Sequence, residues 1–207
     1  MVHTAPALVG AWGAVPHHEV EARVGAPPGD LVDLVTPFAF LGAAALVLWS
    51  LRAGRGAVAL AVAAAIFYVD GHGMHLAANS IAADPILPHT SADRAYFYDE
   101  RLGHIEWHLG WLGLMAAFVV AERLRTAIGR PALLATAALL APILAVVSIE
   151  GQTWWLVVAA APCFCVAAFR RRGHVATACA VSVALAAIGI GLWALVWQGV
   201  PQLTEVV

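Results

Sequence analysis

Lysine is absent. All eleven basic residues are arginine, set against thirteen acids, for a net charge of −2. With so few cations and no basic face, nothing offers a footing to a nucleic-acid partner. Charge of either sign is scarce, at 12% of 207 residues, where a soluble domain carries about 25%. That is too little to cover a surface with water. Cysteine is scarce as well. Cys163, Cys165 and Cys179 lie inside apolar blocks without CxxC spacing, so they read as small buried thiols in helices rather than redox or metal groups. There is no internal repeat. The first thirty residues have neither a basic n-region nor an h-region, so no cleaved signal peptide is expected.

What the chain has in abundance is apolar residue: 62% of the total and a mean hydropathy of +0.83. It comes in long blocks, and a helix needs ~20 residues to cross a bilayer core of ~30 Å. Six blocks meet or approach that length: 31–51, 57–77, 102–121, 132–149, 153–169 and 175–198. The expected fold is all-α, a polytopic bundle of six transmembrane helices in one domain over 31–199. It is preceded by an outer segment, 1–30, and followed by a tail, 200–207. Pro142 and Pro162 fall inside blocks four and five, where a proline kinks a membrane helix without ending it. Gly189 and Gly191 in the last block suggest close helix contact.

Eight of the eleven arginines sit in alternate connections, at Arg52 and Arg55, Arg123 to Arg130, and Arg170 to Arg172. The positive-inside rule assigns those connections to the cytoplasm. Both termini, the 78–101 connection and the turn at Glu150 then face outside. Trp107, Trp111, Trp154, Trp155, Trp193 and Trp197 gather on that outer side. The expected location is a bacterial plasma membrane, with the polar chemistry toward the outer face.

That chemistry is concentrated in two stretches. The second block changes from plain apolar sequence to DGHGMHLAANS, which puts His72, His75 and Asn79 on one helical stripe with Tyr68, and Asp70 about two-thirds of the way across the core. A carboxylate at that depth needs a partner inside the bundle. The other stretch is YFYDERLGHIEWHLGW, 96–111. Read as an α-helix, it stacks Tyr96, Glu100, His104 and His108 at i, i+4 intervals. The same geometry turns Glu106 about 200° away from the histidines, with Asp99 on its side. Block four ends at Ser148, Glu150 and Gln152, which the topology brings to the same leaflet. His17, His18 and His89 read as surface residues.

A mixed imidazole and carboxylate shell without thiolates suits a divalent transition metal. The ligand candidates are His72, His75, His104 and His108, with His75, His104 and His108 preferred. Asp70, Glu100 and Glu150 are candidates for general base or for orienting a ligand. Zinc with an open position comes first, as a metal-dependent membrane hydrolase whose lipid or other amphiphilic substrate enters between helices. Histidines on two spans, an HxxxH pair and a nearby Asp resemble, in outline, the membrane hydrolase superfamily that includes alkaline ceramidases. That family has seven spans, paired histidines on the last span, and a serine four residues before its first histidine. Here the pair is on span three and Gly71 stands four before His75, so no activity is carried over. The alternatives are an iron enzyme of the carboxylate-rich kind, bis-histidine haem b, and a divalent-metal transporter or accessory subunit. With so little mass outside the bilayer, a homo-oligomer or a place in a larger membrane complex is compatible with the chain.

Overall fold

In the computed structural model the described residues are 28–82, 89–122 and 130–206, and every regular element among them is helical. The long helices are α1 (Pro28–Ser50), α2 (Arg55–Ala82), α5 (Arg130–Glu150), α6 (Trp154–Arg171) and α7 (His174–Trp197). Between α2 and α5 the chain forms α3 (His89–Tyr96), a π-helical segment (Phe97–Gly103) and α4 (His104–Ala121) without a break. A short α8 (Leu203–Val206) closes the described chain. His17 and His18 lie outside the described residues.

Among the described residues five stretches are long and apolar enough to cross a membrane: Val32–Ser50, Arg55–Ala78, Asp93–Ala121, Trp154–Arg171 and His174–Trp197. They fit an integral membrane protein. The sixth apolar helix, Leu134–Glu150, is shorter. Pro142 and Pro162 both sit inside helices, as does Pro37. Cys163 and Cys165 differ from expectation, because both face out of the bundle; only Cys179 is buried.

The main core joins α4, α5, α6 and α7 through Leu112, Leu144, Val157, Val183 and Ile190. A smaller cluster of Ala44, Ala61, Ala64, Leu114 and Ala117 joins α1, α2 and α4. Here the side chains are small and the backbones approach closely. A Cβ added at Gly71 would overlap the Trp107 backbone nitrogen and stand 2.5 Å from the Gly103 oxygen. One at Gly110 would stand 2.6 Å from the Tyr68 Cα. Glycine at 71, 103 and 110 is therefore what lets antiparallel α2 and α4 touch. Gly191, expected to serve this purpose in α7, has nothing within 4 Å of an added Cβ.

At the end where α4 stops, Glu122 is 5% exposed. Its two carboxylate oxygens accept the backbone N–H groups of Val175 and Ala176, each at 2.9 Å. A carboxylate at a helix N-terminus satisfies orphan donors and opposes the positive dipole end. The contact pins α4 to the start of α7.

Candidate metal centre

The polar residues gather at the opposite end of α2 and α4. Gly71 and Gly103 bring the two backbones together there, so that α2 delivers His75 to the junction between the π-helical segment and α4. His75 Nδ1 and Asp99 Oδ1 are hydrogen-bonded. One ligand atom from each of His75, Asp99 and His104 falls within 4.8 Å of the others. Asp99 and His104 are buried and His75 is half-buried. Two imidazoles and a carboxylate at this spacing can hold a metal ion.

Asp99 is the residue that α-helical spacing places wrongly. In an α-helix it would share the side of Glu106. In the structure the His104 backbone N–H donates to the Asp99 carbonyl, an i to i+5 bond. A π-helix takes more residues per turn than an α-helix, so Asp99, five residues back, lands toward the face of His104. The sequence signal was a glycine, Gly103, at the point where the segment meets α2: an added Cβ there would lie 2.7 Å from the Tyr98 oxygen and 3.1 Å from that of Gly71.

The other sequence candidates divide into three groups. Glu100 stays with the cluster, its Oε2 3.5 Å from His104 Nδ1. His72 and His108 flank the cluster but are not among its three ligand atoms. His72 Nε2–H donates to the Asp33 carbonyl of α1 at 2.8 Å, leaving buried Nδ1 without a hydrogen-bond partner. His108 Nδ1–H donates to the His104 carbonyl at 2.7 Å, with Thr153 Oγ1 at 3.1 Å, and its Nε2 is likewise buried and unpartnered. In both rings the backbone bond fixes the tautomer, so the inner nitrogen presents a lone pair. Asp70 and Glu150 are engaged elsewhere. Asp70 is exposed on the outside of α2, where its carboxyl lies beside that of Glu106. Glu150 Oε2 accepts the Leu203 backbone N–H at 2.8 Å.

Trp107 fills the middle of the site. Its ring centroid lies 4.9 Å from that of His72, 5.5 Å from His75, 6.1 Å from His104 and 5.7 Å from His108. The indole thus packs against all four imidazoles, of which His75 and His104 also touch each other. The turn between α5 and α6 closes the far wall. A Cβ at Gly151 would stand 2.9 Å from His104 Cγ, so the ring lies directly on that glycine. The segment after α7 covers the mouth: Gln202 Nε2 donates to Glu100 Oε2 at 3.1 Å and to the Glu150 carbonyl at 2.5 Å. Neither Gln202 nor Asp33 carries a sequence pattern that would have marked it, since both act across long sequence separations.

The chain matches no protein-family model, no curated protein and no solved structure.

Proposed function

We propose that the chain is a membrane enzyme in which His75, Asp99 and His104 hold one divalent transition-metal ion, zinc in the first place. The ion lies near the outer leaflet of a six-helix bundle with both termini outside, and the substrate is a lipid or other amphiphile. One observation carries the reading. Three elements converge to place two imidazoles and a carboxylate within 4.8 Å, and the His104 Nδ1 beside them is buried without a hydrogen-bond partner. A polar atom left so costs ~1–3 kcal/mol, a cost that a bound ion at the cluster removes.

Three protein ligands leave a further position for water. A zinc ion held by these residues would supply Lewis acidity and lower the pKa of a bound water to about 7. The chain's own residues do the rest. Glu100, whose Oε2 is 3.5 Å from the same His104 Nδ1, would stand beside the ion and not behind the ring, placed to accept a proton or to join the ligands. It is also the only one of the three candidate carboxylates in contact with a cluster histidine, which makes it the candidate general base. Trp107 keeps bulk water from the imidazoles. Asp33 and Thr153 hold His72 and His108 so that each turns a lone pair inward.

Iron is the second reading, because two histidines and one carboxylate also make the facial set of non-haem iron(II) centres. Haem is disfavoured by geometry: the His75 and His104 rings are 4.7 Å apart, centroid to centroid, with no gap for a porphyrin between them. The test is elemental analysis of the detergent-purified full chain, with its absorption spectrum. One zinc per chain, lost in both His75→Ala and His104→Ala, is the expected result. Stoichiometric iron selects the second reading. Metal-free protein that takes up neither ion from solution overturns both.

A further inference from the structure

We infer that the cleft between α1 and α2, at the end of the bundle away from the histidines, binds one acyl chain of an anionic phospholipid, with the lipid phosphate on Arg52. The two helices are tied together at both ends. Toward the histidines, Phe40 stacks on Tyr68 at 4.6 Å and the Asp33 carbonyl holds His72. At the other end the link is a Schellman turn, in which Arg52 N–H donates to the Trp49 carbonyl at 2.9 Å and Ala53 N–H to that of Leu48 at 3.0 Å.

Between these ties the facing residues are mostly alanine, Ala44 and Ala45 against Ala61 and Ala65, too short to close the gap. They leave a cleft of about 450 Å³, walled further by Leu48 and Trp49. That size is within the ~300–1,000 Å³ of ligand pockets. Bare walls forfeit dispersion contacts, and water in an apolar slot finds too few polar partners. A hydrocarbon chain meets neither objection.

The headgroup is chosen by the mouth. Among the described residues Arg52 is the only charged one lining the cleft, and none of them forms an ion pair with it. It occupies the left-handed position of the turn, at φ 49°, where glycine is the usual choice. The first-turn N–H groups of α2, which starts at Arg55, add the positive end of a long helix. A zwitterionic lipid brings its own cation beside the phosphate and so competes with Arg52 for it, and a free phosphate would leave the slot bare.

The test offers the full-length protein, in mild detergent, equimolar dioleoyl-phosphatidylglycerol and dioleoyl-phosphatidylcholine, and counts retained lipid by native mass spectrometry. The expected result is one phosphatidylglycerol held with about a fivefold preference, the factor for one arginine at a bilayer surface. Arg52→Gly relieves the left-handed backbone, so it folds at least as well as the parent, yet it abolishes the preference. Ala61→Phe fills the slot and lowers retention of both lipids; should it fail to fold, Arg52→Gly decides alone. Excess inorganic phosphate leaves the lipid in place. Equal retention of the two lipids by the parent, a preference that survives Arg52→Gly, or displacement by phosphate would each overturn the assignment.

Discussion

The His104 backbone N–H reaches back five residues to the Asp99 carbonyl, and this single π-turn puts a carboxylate over an imidazole that α-helical spacing would have kept apart. Removing one residue from the π-helical segment should therefore undo the cluster without undoing the helix. Deleting Leu102 shortens the i to i+5 turn to an ordinary one and swings Asp99 by about 100°. The expected outcome is a helical protein, by circular dichroism, that no longer retains metal. Asp99→Asn should give the same loss with the backbone intact. Glu106→Gln, on the outside of α4, should retain metal as the parent does.

Gly71 and Gly73 are two residues apart and predict opposite outcomes. An alanine at 71 drives a methyl into the backbone of Trp107 and Gly103. Neither can yield without separating α2 from α4, so overpacking should cost ~1–3 kcal/mol. At Gly73 an added Cβ meets nothing within 4 Å, and alanine there should gain up to ~1 kcal/mol from helix propensity alone. Denaturation in detergent measures both. Gly71→Ala should also weaken metal retention, since it displaces His75 from His104.

Glu122 predicts a stability effect with no functional one. Its carboxylate caps two N–H groups at the start of α7, so Glu122→Ala should cost ~1–2 kcal/mol. Metal content should be unchanged, because the cap sits at the other end of α4. A Glu122→Ala protein that lost its metal while remaining folded would show that the two ends of α4 are coupled.

The bundle was legible in the sequence because it rests on hydrophobic length, a property each block carries by itself. The expected bounds of α5, 132–149, and α7, 175–198, fall within two residues of the observed Arg130–Glu150 and His174–Trp197. His75, His104 and Glu100 were legible because imidazoles and carboxylates are conspicuous in apolar surroundings. Asp99 was missed because its position depends on a local change of helical period, marked in the sequence by no more than Gly103. Asp70 was grouped with the histidines because a carboxylate at that depth needs a partner inside the bundle. It lies instead beside Glu106, since α2 turns residue 71, and not 70, toward the α4 backbone. Thr153, Asp33 and Gln202 reach the site from other helices and turns, and a pattern along one helix says nothing of such partners.

Gln202 carries the most discriminating prediction about the site. It stands 102 residues from Glu100 in sequence and donates to that carboxylate at 3.1 Å, while Glu100 stands 3.5 Å from His104 Nδ1. The tail after α7 is held independently, through Trp193 Nε1–H to the Pro201 carbonyl at 3.0 Å and Leu203 N–H to Glu150 Oε2. Gln202→Ala therefore removes the brace on Glu100 without releasing the segment. If Glu100 stands beside a metal held on His104 Nδ1, the substitution should weaken metal affinity by roughly tenfold, at the low end of the range for groups that support a ligand. Glu100→Ala should weaken it by more, and the double variant no further than Glu100→Ala alone, because both act through one contact. Competition with a chelator of known affinity measures all three. Additive losses would mean that Gln202 acts on the site by some route other than Glu100.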